Sequence, residues 1–277
     1  MPASVVVALL TPFSADGRVD LAAVRDHVTL LVEEGVDGIM PAGTTGEGPL
    51  LSDGEIESLV AAVVEAAGGR VSVLAHVGRP GTEATIDLAR RALAAGADSV
   101  SAVVPYYYAL DDEALLSHYG TLLAALPDTP VYAYAIPARV QNELGAGVVR
   151  RLAAEGLAGV KDSTKSLERH LEYLRAVEGG ACSVLMGSDG LVLEALRAGA
   201  AGAVSALANL RPDLLVRLKL AHFSGEARQA EEAQRDILAL RAELAGGRAL
   251  VRLKGAVTER LRERGSSFSA GLRAPLG

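Results

Sequence analysis

An alternation of two short patterns constrains this chain more than any other feature. Apolar runs rich in valine and isoleucine recur at Ser4–Leu10, Val36–Gly43, Val71–Gly78, Ala97–Pro105, Pro130–Pro137, Leu157–Ser163, Cys182–Asp189 and Gly202–Asn209. Between them lie segments whose apolar residues repeat with helical period: Leu21–Glu34, Glu55–Ala67, Glu83–Ala95, Glu113–Leu126, Gly147–Glu155, Leu167–Val177, Leu191–Ala198 and Pro212–Phe223. Strand–helix–strand order implies parallel pairing. Eight such units within 277 residues predict a closed (β/α)8 TIM barrel of the α/β class rather than an open sheet.

Local punctuation supports this reading. Ser52 followed by Glu55 forms a capping-box pattern, and Gly35, Gly68 and Gly96 stand where helices should stop. Two further helical patterns, Glu226–Ala245 and Leu250–Arg264, bring no strand with them. Residues 1–223 are therefore read as a barrel carrying the active site, and 224–277 as a C-terminal helical extension. The units share a period but no sequence motif, which argues against a solenoid.

Charge and cysteine usage narrow the function. A formal net charge of -7 argues against nucleic-acid and anionic-membrane partners, and favours a small-molecule substrate. The single cysteine, Cys182, rules out an internal disulfide and a thiolate metal cluster, which fits a reducing cytoplasm. The opening Met1-Pro2-Ala3-Ser4 has no basic run, and no apolar segment reaches spanning length, so export and membrane insertion are not expected.

In such a barrel the catalytic groups stand at the C-terminal ends of the strands. Lys161 follows Leu157-Ala158-Gly159-Val160 at the end of the sixth run. Desolvation there would favour its neutral, nucleophilic amine, the structural alternative being a surface lysine paired with Asp162. After the second run, Pro41-Ala42-Gly43-Thr44-Thr45-Gly46-Glu47-Gly48 lacks the lysine of a P-loop and the glycine order of a dinucleotide fingerprint. Its glycines and hydroxyls suit either a plain turn or a cradle for a small anion such as a carboxylate. Of the seven tyrosines, five fall at Tyr106-Tyr107-Tyr108 and at Tyr132 and Tyr134, so core packing and catalysis compete for them. The Tyr134 hydroxyl is placed to reach Lys161 on the neighbouring strand and to shuttle protons. The five histidines have no metal-ligand spacing, and His76 reads as a packed histidine rather than a ligand.

Taken together, Gly43-Thr44-Thr45-Gly46-Glu47, Pro105-Tyr106-Tyr107, Tyr134 through Pro137 and Gly159-Val160-Lys161-Asp162 resemble the dihydrodipicolinate synthase / N-acetylneuraminate lyase family of pyruvate-dependent class I aldolases. The resemblance implies that Lys161 forms the Schiff base and Tyr134 moves protons. It implies that Thr45 and Gly43 seat the pyruvate carboxylate and that Val204 lines the site. Thr44 would link Tyr134 to a Tyr107 supplied across a dimer interface, so a homodimer or homotetramer is expected. Arg139, two residues past Pro137, would hold the carboxylate of the aldehyde, which points to a 4-hydroxy-tetrahydrodipicolinate synthase. Ala135 and Val140 depart from that branch, and Gly187-Ser188-Asp189 looks as much like the branch that cleaves 2-keto-3-deoxy sugar acids. A non-enzymatic 2-oxo-acid binder is the remaining alternative. No metal or cofactor is required by the implied chemistry.

Overall fold

The computed structural model describes residues 4–277, so the opening Met1-Pro2-Ala3 lies outside the described residues. Eight parallel strands close on themselves in sequence order: β1 (Ser4–Ala8), β2 (Gly38–Met40), β3 (Ser72–His76), β4 (Ser99–Val103), β5 (Val131–Ala135), β6 (Gly159–Asp162), β7 (Ser183–Met186) and β8 (Gly202–Ser205). The helices of the shell are α1 (Leu21–Glu33), α2 (Asp53–Ala67), α3 (Thr82–Ala94), α4 (Asp112–Ala125), α5 (Ala146–Ala154), α6 (Leu167–Ala176), α7 (Val192–Arg197) and α8 (Pro212–Phe223). All eight expected strands and eight expected helices are present, and the fold is the expected barrel. The Ser52–Glu55 capping box opens α2, and Gly35, Gly68 and Gly96 follow helices with left-handed backbone. No helix among the described residues is long and apolar enough to cross a membrane.

The strands are shorter than the apolar runs that announced them, because apolarity reports burial rather than pairing. The run Val36–Gly43 pairs only over Gly38–Met40, since Ala42 turns out of the sheet with φ of 58°. The run Gly202–Asn209 pairs only to Ser205, and Leu207–Asn209 winds into a 3-10 turn. Buried Asn209 then clamps the barrel seam: its Oδ1 accepts from the Leu10 N–H at 3.0 Å, and its Nδ2 donates to the Ala8 carbonyl at 2.7 Å.

Two more helices, α9 (Ala227–Glu243) and α10 (Ala249–Arg262), pack on the barrel. Ala230, Ala233 and Ile237 of α9 join the main hydrophobic core. Leu253, Val257 and Leu261 of α10 build a second cluster with Phe268, Leu10, Ala23 and Leu30. Each fully buried aliphatic side chain stabilises this docking by about 1.5–3 kcal/mol. The final segment returns over the barrel mouth, where Arg273 forks onto Glu55 with two 2.7 Å bonds. That contact holds the Glu55 carboxyl down at about 2, well below the usual range.

Candidate active site

Register decides which strand residues face the barrel interior, because side chains alternate between the interior and the helical shell. Tyr134 is opposite both Val103 and Lys161, Lys161 is opposite Leu185, and Ser101 is opposite both His76 and Tyr132. Lys161, Tyr134, Val103 and His76 therefore face one interior at the C-terminal ends of four adjacent strands. Val204 joins them from β8, two residues beyond the Gly202–Leu185 pair. Asp162 faces the other way, where its carboxylate accepts from Thr164 Oγ1 at 2.6 Å and bonds His170 Nδ1 at 2.9 Å. It makes no ion pair with Lys161, so the structural alternative for that lysine is excluded.

Lys161 is only 3% exposed, and no carboxylate among the described residues pairs with it. Its Nζ lies 3.9 Å from the centroid of the Tyr134 ring and 3.4 Å from Met40 Sδ. The amine thus rests on the face of the ring, not against the hydroxyl as strand alternation had suggested. The hydroxyl bonds Thr44 Oγ1 at 3.2 Å instead, which places the phenol between the turn and the lysine strand.

The turn after β2 coils tightly: the Gly46 and Gly48 N–H groups both donate to the Gly43 carbonyl at 3.1 Å. A Cβ at Gly48 would overlap the Ala42 carbonyl oxygen, so only glycine fits there. Ala42 and Glu47 adopt left-handed backbone, with φ of 58° and 59°, and each costs on the order of 1 kcal/mol or more. In this shape the Thr44 and Thr45 N–H groups have no acceptor among the described residues, as an anion cradle needs. Glu47 anchors the strained turn from behind. Its Oε1 takes a 2.7 Å bond from Lys254 on α10, both side chains being 0% exposed, and its Oε2 accepts from the Arg273 N–H at 2.8 Å. Burial pushes the Lys254 ammonium down from the ordinary lysine value, while the Glu47 carboxylate opposes that shift.

The mouth opens into two adjoining cavities of ≈ 610 Å³ and ≈ 620 Å³ that share Thr44, Arg139 and Leu250. The first reaches down to His76 and Val103; the second is lined by Thr45, Lys165 and Arg241. Lys161 lines neither cavity and is buried against the Tyr134 ring. Arg139, Lys165, Arg241 and Arg248 line these walls, and none of them pairs with a carboxylate among the described residues. Glu47 is the one carboxylate on either wall, and its oxygens are already taken.

Of the eight residues singled out from the sequence, Thr44, Thr45 and Arg139 line this mouth, Tyr134 is joined to it by the bond to Thr44, Lys161 lies on the Tyr134 ring, and Gly43 uses its carbonyl to hold the turn. Val204 is buried on the interior face of β8 and lines neither cavity. Tyr107 is not brought in. It is 77% exposed with φ of 84°, on a loop whose carbonyls at Pro105 and Tyr108 are tied to Asn142 Nδ2 at 2.7 and 2.8 Å. Sequence reasoning gave no role to Lys254, whose partner is 207 positions away, or to Lys165, whose φ of 63° is unusual for a side-chain-bearing residue.

A closed α/β barrel with a buried, acid-free lysine at its strand ends defines the class I, lysine-dependent aldolases and lyases, and this chain is of that class. It belongs to the Dihydrodipicolinate synthetase family, whose profile matches residues 1–277. The chain is 40% identical over 281 residues to an uncharacterized DapA-like lyase of Halobacterium salinarum, covering 98% of this chain and 87% of that one. It is 37% identical over 240 residues to the 4-hydroxy-tetrahydrodipicolinate synthase of Thiobacillus denitrificans, covering 86% and 80%. The crystal structure of dihydrodipicolinate synthase from Aquifex aeolicus superposes with a TM-score of 0.92 at 31% identity, covering 99% and 92% of the two chains.

Proposed function

We propose that the protein condenses pyruvate with an aldehyde through an imine on Lys161, in the manner of a 4-hydroxy-tetrahydrodipicolinate synthase. The observation that carries this reading is a buried lysine without an acid partner, set against the ring of a tyrosine whose hydroxyl bonds Thr44. The pyruvate carboxylate is received by the unpaired N–H groups of Thr44 and Thr45. Nζ adds to the ketone carbon, and loss of water gives the imine. Tyr134 takes a methyl proton to leave the enamine, whose carbon adds to the aldehyde, and hydrolysis frees the product and the lysine. Arg139 meets a carboxylate on the acceptor. A homodimer or homotetramer would supply Tyr107 to Thr44 from a partner subunit, and the family chemistry is consistent with a cytoplasmic enzyme that needs no metal or cofactor.

One observation favours a second reading, cleavage of 2-keto-3-deoxy sugar acids. With Glu47 occupied, neither cavity wall offers a carboxylate to an acceptor ammonium, whereas a hydroxylated acid needs none. Comparing aspartate semialdehyde with glyceraldehyde as acceptors separates the two. Treatment with pyruvate and borohydride tests the shared core: intact mass should show one reduced pyruvate, absent in Lys161→Ala. Labelling at another lysine would overturn the assignment, and no labelling at all would leave a binder rather than an enzyme.

A further inference from the structure

His76 is an interior residue that the chemistry above does not use. It ends β3 at the level of the reacting groups, is only 5% exposed, and lines the ≈ 610 Å³ cavity together with Thr44, Val103 and Arg139. Its ring meets Tyr134 edge to face, with centroids 5.7 Å apart. Packing alone would be served by an apolar side chain, since a buried polar atom left without a partner is destabilising. Yet no well-formed hydrogen bond reaches either ring nitrogen among the described residues, the Ser101 backbone alone lying close enough to favour the protonated ring, and Nδ1 is wholly enclosed. The small open part of the ring therefore excludes Nδ1, which leaves Nε2 as the nitrogen available to the cavity. Burial, with the charges of Lys161 and Arg79 adding to it, holds the imidazole at about 3, so it is neutral under working conditions. A neutral imidazole can donate one hydrogen bond without competing with Lys161 for a proton.

We infer that His76 is a substrate-contacting residue of the second half-reaction, its Nε2–H donating to the acceptor aldehyde oxygen that becomes the hydroxyl beside the new carbon–carbon bond. Pyruvate has its own partners: the Thr44–Thr45 turn for its carboxylate and Lys161 for its carbonyl. Val103 and Tyr134 stand between His76 and Lys161 around the wall, and His76 lines the cavity that Thr44 and Arg139 also line. An acceptor held at one end by Arg139 and reacting beside Tyr134 brings its carbonyl past this ring. Negative charge grows on that oxygen as the bond forms, and a fixed donor is worth most where charge develops. The inference rests on the Lys161 reading, so its test separates the half-reactions.

His76→Ala and His76→Gln are to be compared with the wild type by three measurements. Borohydride trapping of pyruvate and exchange of its methyl protons with deuterated water report the first half-reaction. Steady-state kcat/KM for whichever of aspartate semialdehyde and glyceraldehyde the wild type uses better reports the second. His76→Ala should leave trapping and exchange at wild-type rates and lower acceptor kcat/KM by about ten- to a hundredfold, with partial rescue in His76→Gln, whose amide also donates. Equal losses in exchange and in condensation would show that His76 only positions Tyr134, and unchanged condensation would show that it does nothing; either overturns the inference. If His76→Ala misfolds, His76→Gln decides alone: normal exchange with lowered acceptor kcat/KM supports the inference, whereas unaltered acceptor kinetics, or equal losses in exchange and condensation, overturns it. Failure of trapping in the wild type would instead overturn the parent reading.

Discussion

Four lysines occur in this chain, and their surroundings differ in kind. Lys219 is bonded by Asp37 and Lys254 by Glu47, while Lys165 is exposed. Lys161 is the one that is both buried and without an acid among the described residues, which suits an amine that must add to a carbonyl rather than hold a structure together. Tyr134 beside it has a single hydroxyl contact, to Thr44, so its removal should disturb chemistry more than packing. Tyr134→Phe is expected to lower turnover by about two to four orders of magnitude while circular dichroism and the thermal midpoint stay near wild type. Near-normal turnover would mean that another group moves the proton.

At the scale of elements, the decisive contact joins the turn after β2 to α10. Glu47 is held in left-handed backbone by Lys254 from one side and by the Arg273 N–H from the other, so the C-terminal segment fixes the shape of the carboxylate cradle. Breaking a fully buried ion pair strands the remaining charge, which costs about 3–5 kcal/mol. Lys254→Met should therefore lower urea stability by about that amount and raise KM for pyruvate, because the cradle loosens. Adding Glu47→Gln to Lys254→Met removes the stranded charge and should recover part of the stability. Additive losses in the double variant would show that the two side chains do not act as a pair.

Three buried histidines contribute to the acid response of the whole molecule between neutral pH and pH 4. His27, His76 and His118 are buried, and burial lowers them to about 4, 3 and 4. The unfolded chain takes up protons at these side chains near the ordinary histidine value of about 6.5, whereas the folded chain refuses them until about 3–4. Their contribution to folding is thus fully present above that ordinary value and is lost as pH falls toward 4, with each site steepening the fall by up to about 1.4 kcal/mol per pH unit. Urea midpoints between pH 7 and pH 4 should drop accordingly, and a flat profile over that range would contradict neutral burial of these rings. Assembly belongs to this scale too, since Tyr107 is exposed and makes no hydrogen bond to its own Thr44. If a partner supplies it, Lys161→Ala subunits mixed and refolded with Tyr107→Ala subunits should regain about a quarter of wild-type activity, through the one intact site of each hybrid dimer. No recovery would place both residues' roles within one chain.

Periodicity alone determined the barrel here. Eight β-branched runs alternating with helical segments admit few other closed arrangements, and the ends of the elements could be read from the Ser52–Glu55 box and the terminal glycines because such signals are local. Strand-end position also marked Lys161 and Tyr134, since the barrel puts its chemistry there, whereas Arg139 was marked only by the family resemblance. Local sequence was silent on how those residues meet. That the Lys161 amine lies on the Tyr134 ring rather than at its hydroxyl depends on the register of β5 against β6 and on Thr44 claiming the hydroxyl from the turn after β2. That Glu47 is clamped by Lys254, and that His76 faces the cavity with no partner, depends on segments far apart in sequence being packed together. Propensity and period act over a few residues, whereas the polar contacts that shape this site are made across the barrel, and only closure of the fold brings their partners within reach.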